Sequence, residues 1–137
     1  MTDQAPEVLL GAFVGEANTE SFQLYSGTVN PGDLVKLRST ATGYPLQVVP
    51  VASAGDPVIG VVQRVYTSMG TVWVSVIVRG KTKVLTAGAV AAGAKIKAYG
   101  QSSVVSDSSA DLAAFGTALQ AAASGDTILV IVDSAGV

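Results

Sequence analysis

A chain of 137 residues suits one domain, or two very small subdomains, with room for a real core. Only 13% of its residues are charged, against about 25% in typical globular chains, and its eight Lys and Arg are scattered at a net charge of −2; no basic stripe can be drawn, so nucleic acid is not an expected partner. It has no Cys and no His, which removes disulfides, thiol nucleophiles, imidazole bases and zinc sites of standard type, and no metal or cofactor is expected.

In chain order, residues 1–7 (MTDQAPE) form a polar end without the basic start of a secretory leader. Residues 8–28 hold two apolar patches, Val8 to Val14 and Phe22 to Tyr25, readable as edge strands or an extended arm. From residue 31 short β-rich runs alternate with turn signals, among them Pro31-Gly32, Thr42-Gly43, Gly55-Asp56, Met69-Gly70, Arg79-Gly80, Ala92-Gly93 and Ser124-Gly125. This pattern predicts an all-β fold, a compact barrel or sandwich of short antiparallel strands, with an N-terminal arm over 1–28 and a β domain over 29–137. The most apolar run, VWVSVIV (72–78), is far shorter than the roughly 18 residues of a membrane span, so no membrane partner is expected. Yet hydrophobic residues reach 49% and mean hydropathy +0.49. Burial between subunits is one natural outlet for that apolar surface.

The chain also resembles itself. Setting 58–76 on 114–132 places Gly60 on Gly116, Ser68 on Ser124, Thr71 on Thr127, Val74 on Val130 and Val76 on Val132, a constant offset of 56. Upstream, PGDLVKL (31–37) matches AGAKIKA (92–98) at an offset of 61. Two copies of a strand-turn-strand unit are expected, over about 31–80 and 92–133. The match decides an ambiguous segment. SADLAAFGTALQAAA (109–123) has helix-favouring Ala, Leu and Gln, but its Val-rich partner makes 114–120 a strand and 121–126 a turn.

Strand periodicity puts Val72, Val74, Val76 and Val78 on one face, and Trp73 and Ile77 on the other. In the second copy Ile128, Val130 and Val132 oppose Leu129 and Ile131. Strands apolar on both faces are either central in a two-layer core or covered by a partner. Trp73, Ile77, Leu129 and Ile131 are therefore candidate subunit-interface residues.

Chemistry-bearing motifs are thin. Asp33, Asp56 and Asp126 each follow a glycine and precede an apolar strand, which reads as turn construction rather than as a paired-carboxylate site. Asp107 and Asp111, in SSVVSDSSAD, are too few for calcium. No phosphate-cradling glycine loop or nucleophile elbow is present, and no catalytic residue is assigned. A glycan platform remains open if Tyr44, Tyr66, Tyr99 or Trp73 line a groove.

The segments GDLVKL (32–37), AGDPVIGVVQRV (54–65), MGTVWVSVIVRG (69–80), AGAKIKA (92–98) and FGTALQAAASGDTILVIV (115–132) together resemble the small head decoration, or capsid cement, proteins of tailed phages and related proviruses. The resemblance spans about residues 30–133 and rests on turn and core positions. It implies a barrel-like all-β protein, commonly a homotrimer, made in the host cytoplasm and bound to the outer capsid surface of the virion. Its partners would be the major capsid protein and itself. It implies no enzyme and no cofactor. By position and apolarity, Val8, Leu9, Leu10, Phe13, Phe22 and Tyr25 match the arm that reaches to neighbouring capsid subunits. The competing expectation is a glycan- or receptor-binding knob of a phage head or tail fibre.

Overall fold

The computed structural model describes residues 13–39, 46–107 and 113–133. Among these, every regular element is a strand: β1 (Phe13–Leu24), β2 (Leu34–Leu37), β3 (Gln47–Pro50), β4 (Gly60–Ser68), β5 (Thr71–Leu85), β6 (Lys95–Ala98), β7 (Val104–Ser106), β8 (Gly116–Ala118) and β9 (Thr127–Asp133). The expected all-β class is what forms. The strand expected at 114–120 is shorter, at 116–118. It holds against helix propensity because it is laddered on both sides, to β6 and to β9.

The pairings close a five-stranded barrel, in the order β1-β3-β2-β4-β5 and back to β1. The remaining strands continue from β5 as β9-β8-β6-β7. There, Thr86, just past β5, bridges in parallel to Val104 of β7. This second circuit repeats the connectivity of the first. The antiparallel pairs β2–β3, β2–β4 and β4–β5 recur as β6–β7, β6–β8 and β8–β9. The parallel step of β1 on β3, with Leu24 opposite Val48, recurs as Thr86 on Val104. Strand β5 serves both circuits: its first part walls the first barrel and its last part opens the second.

That double service corrects the turn expected at Arg79-Gly80. β5 runs straight through it, with Gly80 laddered to Ala17 on one side and Val132 on the other. Gly80 has φ 131°, and β1 shifts register beside it, between Val14 and Ala17. A residue without Cβ takes this φ without strain, so β5 passes from one barrel to the next with its pairing kept on both sides.

The offset of 56 holds at Gly60 and Gly116, which face Val35 and Ile96 of β2 and β6. It changes further on: Val62 pairs with Val76, but Ala118 pairs with Val130, so the last strand runs at an offset of 54. The β4–β5 ladder carries a bulge between Val62 and Arg64, whereas the β8–β9 ladder is short and regular. A shift of two keeps the same face inward, so the alternation survives.

Two cores result. Phe22, Leu24, Val35, Val48, Val62, Val74 and Val76 fill the first barrel. Val84, Ile96, Val104, Phe115, Ile128, Val130 and Val132 fill the second. Leu34 and Val61 join the second core, although their neighbours Val35 and Val62 lie in the first. Strands β2 and β4 are thus a shared wall, apolar on both faces because each face has its own core inside one chain. Polar contacts tie the halves at the same place. Buried Asp33 accepts from the Gln101 amide at 3.0 Å, that amide also donates to the Thr28 carbonyl at 2.7 Å, and the Leu34 N–H donates to the Gln101 carbonyl at 2.7 Å.

Candidate functional surfaces

The three Gly-Asp pairs build one turn three times. In each, the aspartate carboxylate accepts the backbone N–H three residues earlier: Asn30 at 2.9 Å, Ser53 at 3.0 Å and Ala123 at 3.0 Å. The aspartate N–H returns the bond to the same residue's carbonyl, at 3.0, 3.1 and 3.2 Å. The preceding Gly32, Gly55 and Gly125 have φ of 94°, 80° and 90°, the left-handed corner this turn requires. The carboxylates are turn hardware in separate places.

Asp56 does more. Its carboxylate also accepts from the Ala52 N–H at 3.0 Å and pairs with the Lys36 ammonium at 2.9 Å. The Lys36 bond and the two backbone N–H groups hold its pKa below the ordinary 3.8, which favours a fixed anion rather than a proton donor. A folded pKa below the unfolded one contributes stability that is present above about pH 3.8 and is lost as pH falls through the folded value. Asp56→Asn should therefore be about 1 kcal/mol less stable than wild type at pH 7. The gap should narrow steadily below pH 4 in urea titrations; a gap unchanged at pH 2.5 would contradict this role. Asp107, weighed above as a calcium ligand, lies 3.9 Å from the Lys97 ammonium, and Asp111 lies outside the described residues.

The expected arm residues separate. Val8, Leu9 and Leu10 lie outside the described residues. Phe13 opens β1, its backbone opposite Thr82. Phe22 is not available to a neighbour: β1 closes the first barrel, and its inward face puts Phe22 in that core, 5% exposed. Tyr25 is on the surface, 52% exposed, with the Arg38 guanidinium stacked 3.7 Å from its ring centre.

The expected interface residues also part company. Ile77 is fully buried within the chain, on the wall shared with Val61, so it cannot meet a partner subunit. Its outward period was legible; its burial within the chain, opposite Val61, was not. Leu129 is half-buried and Ile131 is 38% exposed, on the outer face of the second barrel. Trp73 is half-buried on the outer face of the first barrel, far from those two along β5.

Around Trp73 the register assembles a band that sequence spacing hides. Tyr66 and Gln23 flank Trp73 on the two neighbouring strands, and Gln47 faces Gln23. The Gln47 amide donates to the Gln23 side chain at 3.4 Å, and Arg38 donates to the Gln47 oxygen at 2.6 Å. Arg64 sits 5.0 Å over the Tyr66 ring. Tyr99 lies apart, beyond the end of β6, and Tyr44 lies outside the described residues. Among the described residues no group of three or more acidic residues is placed to hold a metal ion.

No family model and no curated protein matches the chain. Among solved structures it is similar in fold to the head fiber gp8.5 N base of bacteriophage phi29. The two share a TM-score of 0.62 and 11% sequence identity, over 87% of this chain and 96% of that one.

Proposed function

We propose that this chain is a structural protein of a phage head, bound to the outer capsid surface as a decoration or cement protein that bridges neighbouring capsid subunits without catalysis. The observation that carries the reading is the likeness to a head fiber base along nearly the full length of both chains. A fold shared over 87% of this chain and 96% of the other, rather than over one common motif, supports a shared setting at a phage head. The acids support it too, since each of the three Gly-Asp carboxylates is committed to its own turn. In this reading the partners are the major capsid protein and two further copies of the chain. A trimer multiplies modest contacts into high avidity.

The reading is tested on purified undecorated heads of the phage that encodes the chain. Heads mixed with the protein should retain their genome to higher temperature than bare heads, with the gain saturating at a fixed number of copies per head. Heads that release their genome at the same temperature, with or without saturating protein, would contradict the cementing role. A second reading draws on the Tyr66–Trp73–Gln23 band: aromatic faces beside amides suit a sugar ring, as in a glycan-binding knob of a head fibre. Trp73→Ala should abolish binding on a glycan array under that reading and leave head binding intact under the first.

A further inference from the structure

The cations that look scattered in sequence are gathered by the ladders of the second barrel. Lys81 on β5 stands opposite Ile131 on β9, Ile131 opposite Thr117 on β8, and Thr117 opposite Lys95 on β6. One residue pair along, Lys83 stands opposite Leu129. These positions alternate with the buried Thr82, Val84, Ile96, Val130 and Val132, so they share the outward face. Lys81, Lys95 and Ile131 are exposed. Arg79 and Lys97 flank the set on β5 and β6, facing Asp133 at 3.2 Å and Asp107 at 3.9 Å. Five of the chain's eight cations thus lie on one wall of a protein whose net charge is −2.

We propose that this outer wall of the second barrel, Lys81 and Lys95 either side of Ile131, is a docking surface for a carboxylate-bearing, partly apolar protein surface. The proposal rests on the head-exterior reading, and it identifies the face turned to the capsid. Three ladder steps separate Lys81 from Lys95, roughly 15 Å. A strip containing exposed Ile131 and half-buried Leu129 runs between them. A phosphate backbone would leave that strip facing charge and water. A protein surface with acids around an apolar patch satisfies both parts at once. A second copy of the same wall is a poor occupant, because a two-fold contact would set lysine against lysine.

The test uses the full chain and undecorated heads in a co-sedimentation titration. Wild type should bind, and its affinity should fall at least about tenfold between 50 and 300 mM salt, as exposed charge pairs are screened. The double reversal Lys81→Glu with Lys95→Glu should bind at least about 100-fold more weakly, since like charges then meet across the interface. Its circular dichroism and Tm should match wild type, because both residues are exposed and the 3.4 Å bond from the Lys95 ammonium to the Thr117 hydroxyl lies at the surface. Lys81→Arg with Lys95→Arg should bind as wild type, and Arg64→Glu on the first barrel should change affinity less than about threefold. Wild-type binding that survives the double reversal would overturn this surface and leave the head reading standing. Wild type that fails to bind heads at any salt would overturn both. Binding to a duplex DNA probe at 150 mM salt that is lost on reversal, without reversal affecting the heads, would assign the wall to nucleic acid and overturn the proposal.

Discussion

Alanine at Gly60 is expected to cost the fold about 3 kcal/mol or more, and alanine at Gly116 about the same. A Cβ at Gly60 would stand 2.3 Å from the Ile77 carbonyl oxygen and 2.6 Å from a Val76 methyl. At Gly116 it would stand 2.4 Å from the Ile131 carbonyl oxygen. Both obstacles are backbone in a ladder, which cannot swing away as a side chain would. For a chain of this size such a loss lowers Tm by on the order of 10 °C. Gly55→Ala is the control: open space surrounds that position, and only its φ of 80° resists, so about 1 kcal/mol should be lost. If thermal scans place all three within a degree of wild type, the close approach of the strands at Gly60 and Gly116 is wrong.

The second large effect is expected at Asp33. The residue is 6% exposed, and its carboxylate accepts from both the Asn30 N–H and the Gln101 amide, across the seam between the barrels. Asp33→Ala leaves two donors short of an acceptor and opens a gap beside Leu34, at a cost of about 3 kcal/mol. Because the seam joins two cores, chemical unfolding should also lose cooperativity. The wild type should show one transition by tryptophan fluorescence, which reports Trp73 in the first barrel, and by far-ultraviolet dichroism, which reports both. The variant should show the two probes separating. Coincident transitions with unchanged midpoints would deny the seam its role. The second copy offers a natural contrast: at the position matching Asp33 it has Ala94, and that turn closes with the Ala94 N–H to Ala91 carbonyl bond alone, at 3.1 Å.

Local chemistry was legible and long-range pairing was not. The turns could be read because Gly and Asp dictate them within four residues, and the Gly60–Gly116 correspondence could be read because both strands meet their partner's backbone in the same way. Val61 and Val62 show the limit. Alternation says that they face opposite ways, but only the fold shows that each way leads to a core. That is why Ile77 read as an interface residue and proved to be internal. Phe22 misled for the same reason: an apolar patch ahead of the repeat looks like an arm until β5 takes it as a barrel strand. The cationic wall lay beyond sequence reading, because Lys81, Lys95, Thr117 and Ile131 become neighbours only through three separate ladders.

The duplicated barrel gives the functional reading its physical sense. Strand β5 belongs to both circuits, and β2 and β4 present a side to each core, so the halves are joined by shared strands as well as by the Asp33 seam. A rigid body of that kind, with one cationic outer wall and a separate aromatic band, suits a part that holds position under load. The most direct measurement is cryo-electron microscopy of undecorated heads incubated with the purified chain. Added density is expected on the outer capsid surface at repeated, symmetry-related positions spanning adjacent capsid subunits, with the β5–β9–β8–β6 wall turned inward. Heads that show no added density across a wide range of protein concentrations would contradict it.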